Sequence, residues 1–347
     1  MAISAGGAPQ VLCLGEALVD RLGPLGGDPA TAAPADCDDR LGGAPANVAC
    51  ALARLGTPVG FIGRLGLDGI GDSFRELLAD RGVDLRGLQS DRHRPSRVVL
   101  VRRDATGERV FQGFTGDLGE GFADQALDAQ SLGLVWSALA DQALWLLVGT
   151  IPLATEASAL ALQAAVQQAA ASGVRLALDV NWRPTFWDAA ADPAAGPGPV
   201  ELTQMRPLLE QAALIKLARE EAEWLFSSSD PAVISAGLPR SPDVLVTDGG
   251  QPVRWCMAGH GGSMPVLAPP RVVDTTGAGD AFTAGLLHQL VALTPSAGRP
   301  LRLSEAVVEQ VVRYAAACGA LVCAGPGGID PQPLPHRVMQ FLNQLND

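Results

Sequence analysis

The amino-acid sequence predicts an α/β fold built on a mainly parallel sheet, with a small β appendage. Three observations carry this expectation. From about residue 143 onward, near-continuous apolar runs alternate with helical stretches, the pattern of strands covered by helices on both faces. Polar and charged residues gather just after the apolar runs, at 15–20, 179–183, 216–221 and 247–250. These are the carboxyl ends of the strands, where open sheets bind ligands. Two segments, 24–43 and 97–114, break the alternation and read as the appendage.

Taken in order, "VLCLGEALVD" is an apolar run rich in strand formers, a buried first strand with Asp20 just past its C-terminal end. "GGAPANVACALARLG" reads as a glycine turn feeding a helix from about Ala46 to Leu55. "PVGFIGRLG" is a second strand, and "DGIGDSFRELLADRG" a turn and helix in which Asp68 and Gly71 are structural turn residues. "RVVLVRRDATGERVFQGF" holds two strand-forming runs joined around "DATGE", a hairpin with the alternation of a sheet that has one wet face. The later strands are "ALWLLVG", "VRLALDVN", "AALIKLA" and "DVLVTDGG"; "ATEASALALQAAVQQAAASG" and "REEAEWLF" are helices between them. The proline-rich "DPAAGPGP" (192–199) reads as a solvent loop. Finally "DTTGAGDAFTAG" (274–285) runs into "LLHQLVAL", a glycine turn opening an apolar helix.

Composition narrows the function. The 347 residues carry a net charge of -12, which repels nucleic-acid phosphates and anionic lipid, so neither nucleic acid nor membrane is expected as a partner. No window reaches the length of a transmembrane helix, and "MAISAGGAPQ" lacks the features of a signal peptide, which points to the cytoplasm. Six cysteines without a C-x-x-C pair and four scattered histidines argue against a zinc site built on local spacing. Lysine occurs once, at Lys216, after no glycine loop, so the chain has no Walker-type phosphate loop, and phosphate chemistry would rest on backbone N–H groups and arginine.

The glycine turn therefore has two readings. Asp280 at a helix start caps free N–H groups and suits the dipole. The same N–H groups, exposed by Gly277, Ala278 and Gly279, form a site for a transferring phosphoryl group, with Asp280 in reach of an attacking hydroxyl. A dinucleotide-binding turn is a rival, but the third glycine of G-x-G-x-x-G is Phe282 here and no paired βαβ unit follows.

"DTTGAGDAFTAGLL", "GGAPANVACALARLG", "GRLGLDGIGDSF", "GEALVD" and "AAACGALVCAGPGG", in this order, resemble the PfkB family of sugar kinases over nearly the whole chain. The resemblance implies a ribokinase-like three-layer α/β/α sandwich: a single kinase domain over 1–347 with a β lid formed by about 21–43 and 95–116. It implies ATP and Mg²⁺ as cofactors, a sugar and ATP as small-molecule partners, and Asp280 as general base with the Gly277-Ala278-Gly279 turn as anion hole. Asp20, Gly42, Gly43 and Asn47 match the family's sugar contacts. "DVNWRPTFW" reproduces the D-x-N-x-R-x-x-x-W stretch of the family's fructokinases, which places Arg183 at the phosphate or substrate edge; stacking on Trp187 is its structural alternative. Glu221 matches the glutamate that organises water and Mg²⁺ around the phosphates, although Ala218 replaces the family's asparagine. Thr247 and Gly249 match the nucleotide loop, whose last glycine is Pro252 here.

Asp274, with Thr276, Ala320 and Gly325 beside it, matches a K⁺ site next to the anion hole. The lid's exposed face is a candidate homodimer contact. The resemblance favours phosphorylation of D-fructose to fructose 6-phosphate. It leaves open another sugar or nucleoside kinase of the family, and a catalytically silent relative acting as a regulatory binding protein.

Overall fold

The structure is a computed structural model that describes residues 7–104, 109–269, 271–294 and 303–345. The tip of the predicted hairpin turn and the first six residues lie outside this set.

The sequence's apolar runs become a nine-stranded sheet in which all but the last two pairings are parallel. Its strands are β1 (Val11–Leu14), β4 (Val59–Gly66), β5 (Leu88–Asp91), β8 (Trp145–Val148), β9 (Arg175–Asp179), β10 (Leu214–Ala218), β11 (Asp243–Asp248), β12 (Gln251–Met257) and β13 (His260–Met264). They lie in the order β13-β12-β11-β10-β9-β8-β1-β4-β5. A separate four-stranded sheet, ordered β3-β2-β6-β7, is made by β2 (Leu18–Leu25), β3 (Asp38–Gly42), β6 (Val98–Arg103) and β7 (Arg109–Thr115).

Side chains alternate along a strand, so each central strand feeds two cores. Val11 and Cys13 of β1 join one hydrophobic cluster, Leu12 and Leu14 the other. The first cluster is closed by α1 (Ala44–Leu55), α2 (Gly69–Asp80), α9 (Ala278–Leu293), α10 (Glu305–Val322) and α11 (Pro335–Gln344). The second is closed by α3 (Ala129–Ala140), α4 (Glu156–Ala171), α6 (Pro199–Gln211), α7 (Arg219–Phe226) and α8 (Pro231–Ala236), with the short α5 (Pro184–Trp187) at its upper edge. The result is the expected three-layer α/β/α sandwich. Among the described residues no helix is long and apolar enough to cross a membrane.

Four expectations need correction. Asp20 does not follow the first strand of the main sheet. The chain leaves β1 at Gly15, where φ is 154°, and Asp20 lies inside β2 of the small sheet, opposite Arg40. Helix α1 starts at Ala44 rather than Ala46, because Pro45 suits its first turn and lacks the N–H that a helix start leaves unpaired. The hairpin does not alternate at its root: Val98, Val99 and Leu100 are all buried, since the small sheet is covered there on both faces. The expected loop ends at 198, because Pro199 opens α6, and it is anchored to the protein: Trp182 Nε1 donates to Ala195 O at 2.8 Å, and Gly196 packs over the Trp224 ring.

Candidate active site

The carboxyl ends of β1, β9 and β10, the small sheet and the start of α9 enclose a cavity of about 470 Å³. Asp20, Gly43, Asn47, Arg183, Lys216, Gly277, Gly279 and Asp280 all line it. Helix α9 begins here because Gly277 takes the left-handed conformation (φ 76°), which a glycine adopts without strain. A Cβ at Gly277 would also stand 2.5 Å from the Gly328 Cα, so the turn closes only on glycine. Of the predicted anion-hole amides, Ala278 N–H has an internal partner, the Thr275 carbonyl at 3.2 Å.

Asp280 occupies the first turn of α9 and accepts a 2.7 Å hydrogen bond from Asn47 Nδ2. Burial pushes its carboxyl up to about 6, with Asp179 adding to the rise, while the Asn47 hydrogen bond and the Lys216 and Arg183 cations pull it back. Such a carboxylate is ionised near neutral pH and still basic enough to take a proton. Asn47 lines the cavity, and its Oδ1 is buried without a protein partner among the described residues. Gln332 fixes this helix start, since its Nε2 donates to both Asn47 O and Gly328 O at 2.8 Å.

Lys216, named above for the absent Walker loop and within the polar stretch 216–221, lines the cavity. Its Nζ is 3.1 Å from Asp179 Oδ1, and a Cβ on Gly279 would meet it at 3.0 Å. Although burial works against its charge, the Asp179, Glu221 and Asp280 carboxylates keep its pKa raised, so it stays protonated beside the turn. Its position at the end of an apolar strand was the available signal. Thr283 completes the cluster by donating to Asp179 Oδ2 at 2.9 Å.

The remaining candidates divide. Asp20 faces Gly42, where a Cβ would lie 3.2 Å from Asp20 Oδ2; Gly42 lines a smaller cavity with Asp20 and Asn47, and Gly43 the larger one. Gly43 has φ 98°, and its Cβ would stand 2.6 Å from Glu16 O. Arg183 turns into the cavity with Nη1 on Trp182 O at 2.7 Å, while Trp187 packs on Trp182 with ring centroids 5.4 Å apart. Glu221 is buried with both oxygens taken, by Trp182 N–H and Ala218 N–H at 2.7 Å each, so it ties the turn after β9 to the start of α7.

Thr247 and Gly249 line a second, largely apolar cavity of about 490 Å³ with Val266, Leu267, Phe282 and Ala320. The two cavities meet at Thr275 and Gly279. Asp274 Oδ1 accepts from the Thr276 N–H and hydroxyl, and its Oδ2 from Gly327 N–H at 2.8 Å. The structure thus joins Asp274 and Thr276 to the 325–328 loop, while Ala320 faces the second cavity.

Glu16 was not singled out by sequence. It is 3% exposed, and its Oε1 accepts the Ala44 N–H at 3.0 Å, acting as the cap that Gly43 cannot supply to α1. Burial raises its carboxyl to about 8, with the Asp124 and Asp280 charges adding to the rise.

Residues 8–335 match the family described as pfkB family carbohydrate kinase. The chain is 32% identical over 343 residues to Fructokinase-1 of Zea mays, covering 98% of this chain and 99% of that protein. It is 33% identical over 336 residues to the fructokinase of Salmonella typhimurium, covering 93% and 96% respectively. The crystal structure of fructokinase with bound ATP from Xylella fastidiosa superposes with a TM-score of 0.81 at 27% identity, over 97% of this chain and 99% of that one.

The buried Glu16 gives a pH prediction. A carboxyl held near 8 in the fold but at about 4.5 when free is proton-rich in the folded state, so its contribution to stability is lost as pH rises from about 4.5 to 8. Glu16→Gln keeps the acceptor for Ala44 and removes the titration. Melting temperatures between pH 5 and 9 should therefore fall more steeply for the parent protein than for the variant; parallel curves would contradict a protonated Glu16.

Proposed function

The chain belongs to the pfkB family of carbohydrate kinases and is a sugar kinase, and we propose that it transfers the γ-phosphoryl group of ATP to D-fructose, giving fructose 6-phosphate. The observation that carries this reading is the partition: one glycine turn separates a polar cavity holding Asp280 from an apolar cavity suited to a nucleotide base. The similarity to fructokinases of maize and Salmonella supports fructose as the sugar.

In this reading Asp20, Asn47 and the Gly42-Gly43 backbone hold the sugar. Asp280 takes the proton of the attacking hydroxyl, and the Gly277 and Gly279 amides at the positive end of α9 face the charge that builds on the transferring group. Lys216 and Arg183 add two cations on the same side, in the role that positioning and electrostatics play in phosphoryl transfer. The small sheet, carrying Asp20, Val99 and Phe111 over the cavity, acts as a lid that excludes water.

Mg²⁺ supplies charge neutralisation on the nucleotide phosphates. The flanking carboxylates fit a phosphate- and water-held ion rather than a protein cage: Asp179 is engaged by Lys216 and Thr283, and Glu221 by two backbone N–H groups. A monovalent cation beside Asp274 would order the 325–328 loop and, through Gly328, the turn at Gly277.

A panel of fructose, ribose, adenosine, 2-keto-3-deoxygluconate and tagatose, read by ADP release, tests the substrate. Fructose should give the highest kcat/KM; turnover of another member with fructose inert would move the assignment within the family, and inertness of all would favour a binding protein. Replacing K⁺ by a large organic cation at constant ionic strength should lower the rate, and equal rates would discard the cation site.

A further inference from the structure

Arg97 sits at the root of the lid, one residue before β6, and its side chain is 3% exposed. Its guanidinium grips Asp124 with two hydrogen bonds, Nε to Oδ2 at 2.8 Å and Nη2 to Oδ1 at 3.1 Å. Three phenylalanine rings surround it, Phe114, Phe122 and Phe186, with centroids 4.9, 4.7 and 4.8 Å from the guanidinium carbon. A weakly hydrated, planar cation stacks on ring faces as readily as it pairs with a carboxylate, so one residue holds all four partners.

The rings belong to separate parts of the protein. Phe114 lies on β7 of the lid, Phe122 on the connection before Asp124, and Phe186 in α5. Phe114 meets Phe186 edge-on at 5.1 Å, and Phe111, whose side chain lines the sugar cavity, edge-on at 5.2 Å. On the far side, Phe186 N–H donates to Arg183 O at 3.0 Å, and Arg183 is one of the two cations acting on Asp280. The Arg97 carbonyl also receives the N–H of Val19, the neighbour of Asp20. A continuous packed path therefore runs from the lid's sugar-facing residues to the turn that bears Arg183. Close-packed side chains of this kind pass a displacement on rather than absorbing it.

We propose that Arg97 and Phe114 are positioning residues for the reaction: by fixing Phe186 they join the lid over the sugar to the turn that carries Arg183 beside Asp280. The proposal rests on the kinase reading above. It makes lid position and Arg183 position one variable, so that the phosphate-side cation is in place only when the sugar is covered.

Arg97 itself is a poor probe, because its removal leaves Asp124 buried and unpaired. Phe114→Leu keeps an apolar side chain, and Phe114 lines neither cavity; Phe114→Met replaces it if the leucine variant fails to fold. The expected result is a kcat on fructose lowered by the order of 10- to 100-fold, the scale of a small misplacement of a catalytic group, with fructose binding by calorimetry little changed. In an Arg183→Gln background the same substitution should leave kcat within roughly twofold, since the path then leads nowhere. Equal losses in both backgrounds would assign Phe114 to packing alone and overturn the proposal.

Trp182 and Trp187 flank Arg183 and give a second readout. Fructose added to the parent protein should change their emission, assigned with Trp187→Phe, and Phe114→Leu should bind fructose without that change. An unaltered emission response would also overturn the coupling. A parent protein that phosphorylates no sugar would instead remove the kinase reading, and the proposal with it.

Discussion

Helices α1 and α9 begin at the floor of one cavity, and the 2.7 Å hydrogen bond from Asn47 to Asp280 fixes how they meet. Everything else in the site is arranged around that contact. Glu16 caps the first helix start from outside, Gln332 holds its backbone to Gly328, and Gly277 opens the second in a conformation that only a glycine fits against Gly328. The two helices thus share one corner, although the two residues that join them are 233 positions apart in sequence.

The electrostatics follow from the same corner. Burial raises the Asp280 carboxyl, and the Asn47 donor together with Lys216 and Arg183 holds it at about 6. Lys216 is held by Asp179, which Thr283 orients from the next turn of α9. In the proposed reaction, the cations that act on Asp280 would also face the incoming phosphate, so one arrangement would serve proton removal and charge stabilisation together.

The layers and most strands were legible in the sequence because their apolar runs report burial directly, and the glycine motifs report turns. Asp20 was misplaced because a run that bends at Gly15 into a second sheet reads as one strand. The antiparallel β12 and β13 and helix α6 lacked strong periodicity or lay beside proline-rich sequence, and they were not assigned. Residues in short motifs, such as Asn47, Gly277 and Asp280, could be named from the sequence, and they line the cavity. The roles of Glu16, Lys216, Gln332 and Arg97 could not be read there, because they depend on partners far along the chain: Glu16 on Ala44, Lys216 on Asp179, Gln332 on Asn47 and Arg97 on Asp124. Spacing within a motif carries no information about such pairs.

In the proposed reaction Asp280 is the base and not merely part of a helix start. Asp280→Asn keeps the size and an acceptor for Asn47, and removes the basic carboxylate together with its charge. The measurement is kcat of the folded variant with fructose and MgATP, alongside calorimetric binding of each. If Asp280 is the base, kcat falls by roughly 10²- to 10⁴-fold with binding of both retained; a kcat close to that of the parent protein would show that it is not.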